Sequence, residues 1–476
     1  ISRICCKEAD MKKLFISIAG LAIILSACSG GSASSTSDPI AIMEAYEAAW
    51  NAQDLDAVMG HFTDDAVETN GAGTFTGKDE IRGIYEQANE MFSMDCQNYQ
   101  VDGDTVAYEC VMTIYDTGGI FGERYETTFE NGKIKNNMFL GTFDPVIPIS
   151  ETIEPLVLAT PTPLNESLHV IIDDDMARDG MDAILYLLKH PNVEVKAITV
   201  AATGEAHCDA GVKHALGLVT LNKAANIPVA CGREKPLAGT HAFPFEWRMH
   251  VDDLYGLSLP DGGSASPLTA PELIASTIRE STQKVVIVAT GPLTNIAEAL
   301  TNSPAIIENI QMIYIMGGAV EVNGNVGFSG VGIQNQFAEW NIYVDPHAAN
   351  LVFNSGAPIT LVPLDATKDV PVTTHFYKTI EANRSTPEAG FVYDLMTANL
   401  SMIQGGGTQF WDELTAAIAT DESLATFKVF ELQVVEEEGP ESGYTKPTAG
   451  GAKIRVAVSA NAGRFEVTFL NVLNIP

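Results

Sequence analysis

From residue 168 onward the chain repeats one pattern: a short apolar run rich in β-branched residues, a stretch of helical spacing, then another run. The runs are 169–172, 193–200, 227–231, 285–290, 312–316 and 359–364. Runs so short and so continuously apolar belong to strands buried on both faces, which is the condition of strands in a parallel sheet. Stretches of helical spacing at 181–189, 293–300 and 346–353 lie between several of them. This alternation predicts an α/β fold over 168–476, a doubly wound and mostly parallel sheet with helices on both faces.

In open sheets of this kind ligands bind beyond the carboxyl ends of the strands. The polar outliers of this region gather there. Asp173, Asp174, Asp175 and Asp179 follow the first run. So much carboxylate repels itself unless a cation neutralises it, and a hard divalent ion is the economical partner. The competing reading is a solvated acidic turn that caps the next helix. Thr290-Gly291-Pro292-Leu293-Thr294-Asn295 ends a later run and opens a helix, so its turn can present a backbone carbonyl to the same crevice. Met316-Gly317-Gly318 ends the next run, and Asn325, Glu339 and Asn341 follow with amides and a carboxylate suited to sugar hydroxyls.

At 476 residues the chain exceeds one ordinary core. Its front part reads as an address followed by a small domain. Met11, Lys12 and Lys13 precede an apolar stretch at 14–25 and then Leu25-Ser26-Ala27-Cys28, so 11–28 resembles a bacterial lipoprotein signal with its lipobox. The apolar stretch is shorter than the ~20 residues a spanning helix needs. The resemblance implies lipidation of Cys28 and an exported chain, held at the bacterial cell envelope by a lipid anchor only. Residues 29–37 are a Ser/Gly tether. Over 38–144, helical spacing at 39–59 and 77–91 is followed by β-rich segments at 104–115, 123–130 and 134–143, which predicts a small α+β cone with helices first and strands later. Ala49-Trp50-Asn51-Ala52-Gln53-Asp54 and Phe62-Thr63-Asp64-Asp65-Ala66-Val67 make this region similar to the SnoaL-like or NTF2-like family. That fold hosts enzymes, binding pockets and dimerisation modules alike, so no reaction is assigned to it. Asp64 and Asp65 are expected to cap or end a helix, and His61 to be a surface or packed imidazole. Residues 145–167 form a linker rich in Pro, Thr and Glu.

A formal charge of −34 argues against nucleic acid and anionic lipid surfaces as partners and leaves small neutral or cationic ligands open. Cys96 and Cys110 flank a turn at Asp102-Gly103-Asp104. An oxidising compartment permits a disulfide between them, and two free buried thiols fit the sequence equally. Whether Cys208 and Cys231 meet is open, and neither pair has zinc-ligand spacing.

Over 168–476 the ordered set of motifs resembles the inosine/uridine-preferring nucleoside hydrolase family. The family's opening D-x-D-x-x-x-D-D is matched by Asp173, Asp175 and Asp179, but Gly180 stands where the family has a calcium-binding aspartate. Further matches are Gly291 to Asn295, Met316-Gly317-Gly318, Ala338-Glu339-Trp340-Asn341, Asp345-Pro346, Leu364-Asp365-Ala366-Thr367 and Trp411-Asp412. The resemblance implies hydrolysis of the N-glycosidic bond of ribonucleosides with Ca2+ as cofactor, by a dimer or tetramer. By position, Asp175 binds calcium and acts as general base on a water, with Thr290, Asp412 and Asp179 at the metal. Asp179, Asn325, Glu339 and Asn341 hold the ribose, Met316 lies beneath it, and Asp173 is a supporting carboxylate. The family's ribose-binding Asn after the second strand is missing, and Thr203 or Glu205 stands in that region. Trp411 occupies a position often held by histidine, as in the purine-preferring branch, where an indole stacks on the base. A core tryptophan is the alternative reading. Of the loop histidines, His250 is the candidate to approach the base. Gly180 also motivates a second reading, a nucleoside or sugar binder with a weakened metal site, unless the nearby Asp182 compensates. A third places the main function in the NTF2-like domain.

Overall fold

A computed structural model of the protein describes residues 38–70, 73–114, 120–143, 167–224, 226–328 and 332–476. The lipoprotein signal at 11–28, the tether at 29–37 and all but the last residue of the linker at 145–167 lie outside the described residues. Among the described residues no helix is long and apolar enough to cross a membrane.

The first unit opens with α1 (Pro39–Asn51) and α2 (Leu55–Gly60). Asp38 and Asp54 accept from the Ile40 and Ala57 N–H groups and so satisfy first-turn donors. Next come β1 (Phe62–Asn70), β2 (Gly73–Thr76) and α3 (Lys78–Met91), then β3 (Phe92–Asp102), β4 (Thr105–Ile114), β5 (Ile120–Glu130) and β6 (Lys133–Phe143). The sheet order is β2-β1-β6-β5-β4-β3, antiparallel except for the parallel β1–β6 pair. Helices packed on one face bury Met43, Tyr46, Trp50, Ile81 and Tyr85.

The expected order of helices before strands is therefore corrected: β1 and β2 precede α3. A charged residue at an inward position hid the alternation of β1. Glu68 is buried there, accepting from the Tyr85 hydroxyl at 2.9 Å and the Asn137 amide at 2.9 Å. Asp64 and Asp65 do not cap a helix. They are exposed on β1, 3.3 Å from Lys78 and 2.5 Å from Lys135 respectively. Cys96 and Cys110 face one another across β3 and β4 and form a disulfide.

The second unit begins with β7 (Leu168–Asp174), α4 (Arg178–Lys189), β8 (Val193–Val200), α5 (Cys208–Leu221) and β9 (Val229–Cys231). It continues through α6 (Phe245–Asp252), α7 (Ala270–Glu280), β10 (Val285–Thr290), α8 (Thr294–Asn302) and β11 (Ile310–Met316). After α9 (Trp340–Val344), α10 (Pro346–Phe353) and β12 (Ile359–Val362) come α11 (Leu364–Thr367), α12 (Thr374–Asn383), α13 (Pro387–Ala398), α14 (Leu400–Gln404) and α15 (Asp412–Thr420). The chain closes with β13 (Ala425–Val434), β14 (Thr445–Pro447), β15 (Ala452–Ala460) and α16 (Ala462–Leu473).

The nine strands run β14-β13-β15-β12-β11-β10-β7-β8-β9, and all pairs from β15 to β9 are parallel. Successive side chains of β7 enter different cores: Ile172 joins one on one face, Ile171 another on the opposite face. Burying each such side chain contributes roughly 1.5–3 kcal/mol, which is why the six apolar runs are strands. The antiparallel edge β13–β14 was not anticipated, because solvent on its outer face admits Lys428 and Glu431 and breaks the apolar pattern. A second disulfide, Cys208–Cys231, joins the start of α5 to the end of β9. From β7 the chain winds outward to β8 and β9, then returns to β10 on the other side, so β7 and β10 meet where the winding reverses. Their carboxyl ends flank the crevice where ligands bind in such sheets.

Candidate active site

β7 delivers consecutive aspartates into that crevice. Asp173, turned to one face, is fully buried and accepts from the Thr199 hydroxyl at 2.6 Å and the Asn295 amide at 2.8 Å. Asp174, on the other, is also buried, and accepts from the Met176 N–H at 2.7 Å and the Thr290 hydroxyl at 2.5 Å. Asp175 accepts from the Glu205 N–H at 3.2 Å and from the Ala177 N–H at 3.4 Å. The chain turns at once, with Met176 in the left-handed region at φ 63°, a strain of the kind that collects at functional sites. Glycine is required on both sides of Asp175. A Cβ on Gly204 would lie 2.7 Å from its carboxyl carbon, and one on Gly291 would lie 2.9 Å from its Cβ.

Ala177 precedes α4 without a side-chain cap, and within the first turn the Asp179 carboxylate accepts from its own N–H and that of Gly180. Asp179, in the first turn of α4, accepts from the N–H of Asp412, the first residue of α15, which packs on α4. Burial raises the Asp412 carboxyl well above its ordinary range, and the charges of Asp179, Asp174 and Asp175 push it further. Burial likewise raises Asp175, with Glu205, Asp174 and Asp179 adding to it. Asp175 and Asp412 thus feel one another's charge, as do Asp174 and Asp179.

The nearby guanidinium groups offset only part of this charge: Arg178 favours the ionised form of Asp179, and Arg178 and Arg248 that of Glu205, against the larger effect of burial. Arg178 is buried 3.3 Å from Asp182 and 3.5 Å from Glu413. Asp182, the residue expected to compensate for Gly180, is therefore engaged by Arg178. Arg248 donates to the carbonyls of Ala202, Glu205 and Ala206. Among the described residues no three His, Cys, Asp or Glu side chains already form a metal cage. What the site offers is oxygen donors alone, in carboxylates and the Thr290 turn, which is the donor chemistry a hard divalent ion takes.

The end of β11 supplies an adjoining surface. Glu339 accepts from the N–H groups of Asn341 at 2.8 Å, Gly318 at 2.9 Å and Ile342 at 3.2 Å. Burial pushes its carboxyl up to about 7 against those bonds, and Asp179 adds to the shift. The Asn341 amide donates to the Met316 carbonyl at 3.3 Å, and Asn325 accepts from the Trp340 N–H at 3.2 Å. Trp411 packs against the cluster of Met316 and Leu364, with its indole nitrogen buried and unpartnered. The structure thus gathers Asp175, Asp179, Asp412, Thr290, Met316, Glu339, Asn341, Asn325 and Trp411 around one end of the sheet.

His250 is not brought in. It is exposed in the last turn of α6, a helix and not the expected loop, and two positions along a helix lie nearly on opposite sides, so Arg248 takes the buried face. His207 pairs with Asp252 at 2.6 Å, and His241 bridges the Tyr343 carbonyl and Glu438. Thr203, a suggested sugar contact, is buried against Thr294 at 3.1 Å. Glu205 stays beside Asp175.

A family model described as inosine-uridine preferring nucleoside hydrolase matches residues 170–467. The chain belongs to this family. A SnoaL-like domain model matches residues 43–136. Among relatives, the pyrimidine-specific ribonucleoside hydrolase RihA of Shewanella baltica is 40% identical over 206 residues, covering 43% of this chain and 61% of that one. RihA of Salmonella arizonae is 40% identical over 210 residues, covering 44% and 64%. The chain thus spans a little over three fifths of the curated relatives it matches. A plant nucleoside hydrolase superposes with a TM-score of 0.58 at 28% identity, covering 65% of this chain and 99% of the other. A purine-preferring ribonucleoside hydrolase from Gardnerella vaginalis gives 0.55 at 28%, covering 64% and 98%.

Several motif residues of the nucleoside hydrolase family prove structural in this chain. Asn295 orients Asp173, Asp345 caps α10 and holds Leu237, and Asp365 accepts from the Val320 and Glu321 N–H groups. Reading by motif passed over Arg178, Arg248, Glu413 and the role of Asp174. A buried arginine whose partner, as Glu413 is to Arg178, lies far along the chain leaves no periodic trace.

Proposed function

We propose that the C-terminal unit hydrolyses the N-glycosidic bond of ribonucleosides, with a leaning to purines, at a site that takes Ca2+. The observation that carries this reading is the meeting of Asp174, Asp175, Asp179, Asp412 and Thr290 at the winding switch, next to the floor made by Met316, Glu339 and Asn341. Carboxylates massed in a buried crevice, more than Arg178 and Arg248 offset, fit a calcium ion. Asp175, Asp179, Asp412 and Thr290 would hold the ion, which when bound would supply a water far easier to deprotonate than bulk water.

The residues of the chain do the rest. Asp175, held only by long N–H contacts at 3.2 and 3.4 Å, keeps lone pairs available to take the proton of the attacking water. Asp173, fixed by Thr199 and Asn295, is a positioning residue. Asp179, Asn325, Glu339 and Asn341 hold the ribose over Met316. Their carboxylates favour the positive charge that builds on the sugar as the C–N bond breaks. Trp411, beside Met316, offers a face for the base, and the larger purine ring gains more from it.

Base release from inosine and uridine, measured with calcium and again after chelation, tests the reading on the whole protein. The expected result is turnover with calcium, faster on inosine, and its loss with chelator. Tight nucleoside binding without turnover at saturating calcium would establish a non-catalytic binder instead, and faster uridine cleavage would remove the purine leaning.

The same proposal places the chain outside the cytoplasm as a dimer or tetramer, anchored through a lipid on Cys28. The Cys96–Cys110 and Cys208–Cys231 disulfides support an oxidising compartment. Labelled palmitate fed to a bacterium expressing the full chain is expected to enter the protein and to be lost in Cys28→Ser. Equal labelling of both chains would refute the anchor.

A further inference from the structure

Gly180 removes a carboxylate from the position where the resemblance puts a calcium ligand, yet the space in front of it is not empty. A Cβ placed on Gly180 would lie 2.7 Å from the carboxyl carbon of Asp174 and closer still to both its oxygens. The carboxylate of Asp174 therefore fills the volume that a side chain at 180 would occupy. It is fully buried, held from one side by the Met176 N–H at 2.7 Å and from the other by the Thr290 hydroxyl at 2.5 Å. Each oxygen receives one of these bonds and retains a further lone pair. Asp412, Asp175 and Asp179 all feel its charge or lend theirs to it.

We propose that Asp174 is a metal-ligating carboxylate that stands in for the side chain missing at 180, so that the site keeps its carboxylates by moving one from helix to strand. Two alternatives fail on geometry. Asp182 lies two residues beyond Gly180, on nearly the opposite side of α4, and its Oδ2 faces Arg178 at 3.3 Å. Asp174 does not cap α4, because the N–H it bonds is that of Met176, which lies before the helix. The swap also explains why glycine stands at 180: two carboxylates cannot share that volume, and a strand aspartate in this rotamer demands a neighbour without a side chain. The inference rests on the proposed calcium site, and its test reads binding and not turnover.

Calorimetric titration of the full chain with Ca2+ alone, with melting temperature followed in parallel, is the experiment. Wild type is expected to bind calcium. Asp174→Asn should weaken binding on the order of a hundredfold, because affinity for this ion follows the charge of its ligand set. Gly180→Asp alone should bind no better than wild type and melt lower, since the new side chain meets Asp174. Asp174→Ser combined with Gly180→Asp should regain most of the lost affinity, returning the carboxylate to the helix. Calcium binding by Asp174→Asn equal to that of wild type, or none by wild type, would overturn the proposal. Should Asp174→Asn fail to fold, the double variant decides: affinity close to wild type supports the swap and its absence refutes it. Wild-type binding without base release would sink the hydrolase reading while leaving this one standing, so the two failures are distinguishable.

Discussion

Asp175→Asn is expected to lower kcat for inosine by on the order of 10²–10⁴-fold at saturating calcium, the range that a positioned general base contributes. Asparagine matches the shape of aspartate in the slot between Gly204 and Gly291, so the fold should survive unchanged. KM should move far less than kcat, since ribose is held by other residues. The loss should persist across alkaline pH, where an intact base is fully ionised and only its removal matters. Steady-state kinetics with far-UV circular dichroism as the folding control measure both. A variant within a few-fold of wild type would show that the water is activated by some other group.

The second large effect is structural. Arg178 lies buried between Asp182 and Glu413, at 3.3 and 3.5 Å, and also donates to the Thr408 hydroxyl at 3.4 Å. Replacing it with leucine leaves two carboxylates buried without a counter-charge. Removing one partner of a buried ion pair costs about 3–5 kcal/mol, because the remaining charge stays desolvated. For a unit of this size that corresponds to a fall in Tm on the order of 10 °C. The control is a triple variant, Arg178→Leu with Asp182→Asn and Glu413→Gln, in which no unpaired charge remains and most of the lost Tm should return. An Arg178→Leu protein that melts with wild type would mean that both acids are neutral in the native state.

These two residues differ in how far the sequence reveals them. Asp175 is visible because it ends an apolar run, and a carboxylate at the carboxyl end of a buried parallel strand is placed by local pattern alone. Arg178 is one of several polar residues at a helix start, and nothing nearby signals that it is buried. Its partner Glu413 is distant in sequence and comes near only when α15 packs on α4. The same holds for His250 and Arg248. Their loop was recognisably near the site, but which of them faces inward depends on the phase of α6. In the first unit, β1 went unseen because Glu68 interrupts its apolar face, a substitution tolerated only because Tyr85 and Asn137 arrive to bond it.

By itself the sequence determined the architecture of the second unit and the end of the sheet where polar residues collect. Both follow from hydrophobic burial, which each run carries in its own composition and which no distant partner can reverse cheaply. Tertiary structure alone decided which carboxylate fills the place left by Gly180 and which acids Arg178 neutralises. It also decided which helix face turns toward the crevice. These are matters of a few ångströms between segments far apart along the chain, and electrostatic and steric forces at that range appear only once the packing has set the distances.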